Sequence, residues 1–177
     1  MVKLSENDLS IFESRLRSYE FAGHVIQWIS LFESRLDIIL TTYFVLPKSP
    51  LDDHQTSAFF DLVLSRLSFA AKIDILKNLK FRSTIRSQKG VVETLTKIRK
   101  LRNILAHNHH VNTDDLNKIR SDKWLVNFIL DYPKSLSREK NALENRFNHL
   151  WNSCAKMHEH KLKEDSDYYK IIRKLNC

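Results

Sequence analysis

Apolar residues recur at helical spacing in several long segments of the chain. The first opens after Ser5 or Asn7, either of which can cap a helix with Asp8 in its first turn. It continues through Leu9, Ile11, Phe12 and Leu16, then Phe21, Val25, Ile26, Ile29, Phe32, Leu36, Ile39 and Leu40 to about Phe44. That is far longer than an ordinary helix, and Gly23 is the expected place for a break or a close backbone approach. Pro47 and Pro50 end the segment, and residues 51–56 read as loop. A second long helix is expected over 57–79. It has Phe60, Leu64, Leu67 and Ala71 on one side and Phe59, Val63, Ala70 and Ile73 on another. So broad an apolar face suits a central helix with more than one neighbour.

A polar, basic stretch over 82–89 and then Gly90 precede a third helix, expected over 91–108. At ~100° per residue, Val91, Leu95, Ile98 and Leu105 fall within a stripe of roughly 80°. Arg102 lies inside that stripe, about 20° from Leu95. A guanidinium there needs a carboxylate, a phosphate or a subunit boundary. Asn103 and His107, four residues apart, share a different face. Farther on, Thr113, Asp114 and Asp115 can cap a short helix over 116–119. The compact apolar run 124–130 has no pattern that decides its secondary structure, and Pro133 closes it. Ser135 or Ser137 opens a long helix with Leu143, Phe147, Leu150, Trp151, Cys154 and Met157 at helical spacing, and a final short helix is expected over 168–175.

Composition agrees with an all-α protein: 177 residues contain two Gly, three Pro and 42% hydrophobic residues. No Gly/Ser-rich linker interrupts the chain, so 1–177 reads as one domain. Two long antiparallel helices and the Arg102-bearing helix would form a core over about 5–110, with a helical extension over 111–177. Lys and Arg number 29 against 21 Asp and Glu, a net charge of +8. Such a surface favours polyanions without choosing among RNA, DNA and anionic lipid. Cys154 and Cys177 do not form a disulfide framework, the first residues lack the apolar run of a signal peptide, and charges interrupt every apolar segment. A cytoplasmic protein with no membrane span is expected.

The residue types around Arg102 define a chemistry. An imidazole can give or take a proton near neutral pH, and a guanidinium can hold a phosphodiester through two parallel hydrogen bonds and stabilise its developing charge. With an amide to orient them, they can cleave RNA without metal, the ribose 2′-hydroxyl being the nucleophile. Arg102 and His107 are ~140° apart around one helix. Either the Arg bends round, or a second chain presents its copy across a two-fold axis. Each residue also has a plainer role. Arg102 can pair with Glu33 or Asp37, His107 can complete the end of the helix dipole, and Asn103 can be a simple surface residue. His107, His109 and His110 beside Asp114 and Asp115 suggest a metal, but two adjacent His suit a loop lining a cleft, so no metal or cofactor is expected. Asn108, His109 and His110 are candidate RNA contacts. So is Lys72, if it is not simply a helix-surface lysine. Arg82, Arg86, Lys89, Lys97, Arg99 and Lys100 form either an RNA-tracking set or a solvated face.

The run Arg102-Asn103-Ile104-Leu105-Ala106-His107 resembles the Arg, polar residue, then His signature of the HEPN superfamily. Residues 68–76 followed by Leu101-Arg102-Asn103 look like the helix pair of such proteins, and the resemblance covers roughly 10–110. It implies a metal-independent endoribonuclease, active as a homodimer with a composite site, of the kind used in toxin–antitoxin, abortive-infection and antiphage systems. Carried over, Arg102 binds the phosphate, Asn103 is the polar motif residue and His107 the acid/base. A protein antitoxin or regulator is an implied partner. This chain has His109 in place of the Tyr that a nucleotidyltransferase partner modifies in some members. Two other readings stand beside this one: a non-catalytic helical dimer acting as an interaction module, and a DNA-binding regulator lacking a clear helix–turn–helix pattern.

Overall fold

The computed structural model describes residues 2–45, 53–81, 84–107 and 113–162, in which every regular element is helical and no strand occurs. In chain order the elements are α1 (Glu6–Leu16), α2 (Tyr19–Phe44), α3 (Asp53–Leu62), a 3₁₀ turn (Leu64–Arg66), α4 (Phe69–Asn78), α5 (Ile85–His107), α6 (Thr113–Arg120), α7 (Lys123–Leu130) and α8 (Lys134–Leu162). The chain forms two compact units, Met1–Phe32 with Glu93–Glu144 and Glu33–Val92 with Asn145–Cys177. α2, α5 and α8 each contribute residues to both.

In the first unit, Ser5 caps α1 by accepting from the Asp8 N–H at 3.1 Å. The break from α2 falls at Arg17 and Ser18, not at Gly23, because the Ser18 hydroxyl accepts from the Phe21 N–H at 3.3 Å and offers the backbone a new start. Gly23 sits inside α2 with nothing within 4 Å of where a Cβ would stand. Gly23→Ala is therefore expected to raise the unfolding free energy by about 1 kcal/mol, read by denaturant melts, since it removes only backbone freedom.

The apolar run over 124–130 is helical. Asp122 accepts from the N–H groups of Trp124 and Leu125 at 2.9 and 3.3 Å, and Leu125, Val126, Phe128 and Ile129 are buried. At the other end of α7, the Arg15 guanidinium donates to the carbonyls of Ile129 (2.6 Å) and Leu130, groups that have no partner within the helix. Phe128 lies between two indoles, with ring centres 5.7 Å from Trp28 and 5.1 Å from Trp124 and near-parallel planes. Phe12, Leu16, Phe21, Val25, Leu95, Ile98 and Leu101 are buried in the same unit.

In the second unit, the single helix expected over 57–79 is two. α3 starts at Asp53, a 3₁₀ turn follows, and Ser68 caps α4 by accepting from the Ala71 N–H at 3.2 Å. The C-terminus of α4 is closed by Gln88, whose amide donates to the Leu76 and Leu79 carbonyls at 2.6 and 2.7 Å. α5 begins at Ile85, so Gly90 lies within it. Its missing side chain makes room for Arg146 of α8, since a Cβ there would stand 2.9 Å from the Arg146 Nε. Leu36, Ile39, Leu40, Leu64, Ile73, Leu76, Val91 and Leu150 are buried. On α8, Leu143, Phe147, Leu150 and Cys154 are buried as their spacing predicts, but Trp151 is 42% exposed. The helix expected over 168–175 lies outside the described residues.

Candidate active site

No Gly or Pro falls between Val91 and His107, and α5 runs unbroken through both. It buries Val91, Leu95, Ile98 and Leu101, with Leu105 and Arg102 half-buried at the margin of that stripe. Arg102 makes no ion pair and no side-chain hydrogen bond among the described residues. Asn103 is exposed one step round the helix. His107 is the last residue of α5. At 1.5 Å of rise per residue, its backbone lies about 8 Å along the axis from that of Arg102 and ~140° around it. One helix thus carries all three motif residues in its last two turns without bringing them to one side. Asn108, His109 and His110 lie outside the described residues.

Glu33 and Asp37 serve a different cation. The Lys72 ammonium lies 3.1 Å from Glu33 Oε1 and 3.0 Å from Asp37 Oδ2, while Asp37 Oδ1, 2.8 Å away, makes ionic contact outside hydrogen-bond geometry. Lys72 is only 4% exposed. This corrects the expectation of a surface lysine or RNA contact, because its charge is spent on two carboxylates. Burial works against the Lys72 charge, but the hydrogen bonds it donates to Asp37 and Glu33, with their negative charges, outweigh it and hold the ammonium above its ordinary pKa. The Asp37 carboxyl is also raised, by burial first, with Lys72 pulling the other way and Glu33 adding its own charge. The Lys72 shift follows from two carboxylates sharing one ammonium, the Asp37 shift from burial. The sequence did carry a signal: acids at 33 and 37 lie four apart among buried Phe32, Leu36 and Leu40, a place that demands a buried cation.

Of the basic residues near the motif, Lys97 sits 5.5 Å from the centre of the Trp124 ring, closing the aromatic stack. Arg99 is half-buried on the same helix, and Arg86, Lys89 and Lys100 are exposed. Cys154 is fully buried, and burial pushes its thiol up to about 12, so it offers no thiolate at neutral pH. Among the described residues no group of three His, Cys, Asp or Glu is placed to hold a metal ion, and no helix is long and apolar enough to cross a membrane.

No family model, no curated protein and no solved structure matches this chain.

Proposed function

We propose that this protein is a metal-independent endoribonuclease of HEPN type, cutting single-stranded or loop RNA by attack of the ribose 2′-hydroxyl on the adjacent phosphodiester. The observation that supports it is Arg102, a half-buried guanidinium without an acidic partner among the described residues, on the helix that also carries Asn103 and ends at His107. A guanidinium held in that state favours an anion from outside the chain, and a phosphodiester satisfies it with two parallel hydrogen bonds. His107 then moves the proton from the 2′-hydroxyl or to the 5′-oxygen leaving group, and the Asn103 amide orients one of the two. Because Arg102 and His107 diverge around α5, the reading includes a homodimer in which each site takes its Arg from one chain and its His from the other. A role as a toxin or antiphage effector, restrained by a protein partner in the cytoplasm, belongs to the same reading.

Incubating the purified protein with total RNA in excess EDTA is expected to yield discrete fragments at the rate seen without chelator. Complete inhibition by EDTA would transfer the chemistry to a metal.

A second reading, a non-catalytic interaction module, is favoured by the apolar end of α3, where Phe60 is 42% and Leu62 61% exposed, with Val63 beyond it 41% exposed. It predicts no cleavage under any of these conditions.

A further inference from the structure

A cleft of about 350 Å³ in the second unit is lined by Arg35, Ile38 and Ile39 of α2 and by Phe147, Asn148 and Trp151 of α8. Its floor is closed by Ile39 and Phe147, 1% and 3% exposed, while Ile38 and Trp151 are 47% and 42% exposed. Trp151 stands three residues past Asn148 and four past Phe147, so all three share one side of α8. The half-open indole of Trp151, beside exposed Ile38, offers an aromatic face on which a planar group can stack.

The polar groups decide what that is. Arg35 and Asn148 are exposed, and among the described residues no acidic side chain lines the cleft. An apolar helix laid over it would cover a guanidinium and an amide without partners, at a large desolvation cost. An unstacked nucleobase satisfies each group: its face lies on an aromatic ring, its edge has donors and acceptors for an amide, and its phosphate carries the charge a guanidinium takes. The net charge of +8 draws the same strand towards the protein.

We propose that the cleft of Arg35, Asn148 and Trp151 is a nucleobase subsite for single-stranded RNA, with one splayed base stacked on Trp151, hydrogen-bonded by Asn148, and its phosphate held by Arg35. This goes further than the ribonuclease reading and rests on it for RNA as the natural ligand. Duplex RNA does not fit, because its bases are not free to stack on a side chain.

The test uses a fluorescent 2′-O-methyl oligouridylate, which binds as a single strand but lacks the nucleophile for cleavage. Anisotropy titration of the full chain is expected to show binding that Trp151→Ala weakens roughly tenfold and Trp151→Phe largely preserves. Arg35→Gln is expected to lower the slope of log affinity against log salt by about 0.7, the share of one phosphate contact on a single strand. Circular dichroism checks that the variants fold, which the exposure of both side chains favours. Unchanged affinity in folded Trp151→Ala overturns the proposal. So does conversion of a dimer to a monomer by that change with binding intact, since the cleft would then be a contact between copies. If this pattern of binding is found but natural RNA is never cut, the subsite stands and the nuclease assignment falls. If RNA is cut and Trp151→Ala binds normally, the reverse holds.

Discussion

His107→Ala is expected to slow RNA cleavage by roughly 10²- to 10⁴-fold, the span of a lost general acid or base, and Arg102→Ala by a comparable factor through the lost phosphate clamp. Both changes lie in the last two turns of α5, where one residue is half-buried and the other ends the helix. The helical spectrum and the oligomeric state should therefore stay as they are. Arg102→Lys keeps the charge but not the planar fork, so it is expected to recover only part of the loss. The two alanine variants also test the composite site. If Arg and His come from different chains, mixing two inactive variants rebuilds one intact site per heterodimer, and up to about a quarter of the wild-type rate returns. If both come from one chain and act independently of the partner, the mixture stays dead.

Lys72→Met is expected to lower stability substantially. It leaves Asp37, 8% exposed, and Glu33 facing each other with no cation between them. Breaking a buried ion pair by removing one partner costs roughly 3–5 kcal/mol. The Glu33 side chain is 31% exposed and regains some hydration, which places the cost near about 3 kcal/mol. For a chain of this length that lowers the melting temperature by roughly 6–12 °C. Adding Glu33→Gln and Asp37→Asn should restore most of it, because the penalty lies in the stranded charges. The same group makes an alkaline prediction. The folded-state pKa of Lys72 is raised, so its contribution is complete below the ordinary lysine value of 10.5 and drains away as pH climbs through the folded value above it. Wild type should therefore lose stability above that pH more steeply than Lys72→Met, as read by urea melts across the alkaline range. Parallel curves would show that Lys72 contributes little.

The all-helical class was legible because hydrophobic spacing and the scarcity of Gly and Pro point the same way. The span of α8 was legible from Leu143, Phe147, Leu150 and Cys154 at helical spacing. Helix boundaries were not. Ser18 and Ser68 end one helix and start the next by capping, while apolar periodicity passes through both without a change of phase. Gly23, the conspicuous punctuation, is simply absorbed into α2. α7 has too few polar residues to display a period, and only the Asp122 cap and the following Pro133 mark its ends. At the site, Arg102 was visible because a cation within an apolar stripe is conspicuous from spacing alone. Lys72 was missed because its partners are 35 and 39 residues away in sequence, and only folding sets them beside it. Trp151 was missed for the opposite reason: it has a core residue's spacing but stands at a cleft.

The chemistry leaves its signature on the product. If the 2′-hydroxyl attacks with His107 and Arg102 in attendance, fragments formed in EDTA carry a 2′,3′-cyclic phosphate and a 5′-hydroxyl. A single 2′-O-methyl group at the cut position then blocks that cut and no other. Fragments bearing 3′-hydroxyl and 5′-phosphate ends, or cutting that persists at the methylated position, would contradict the account.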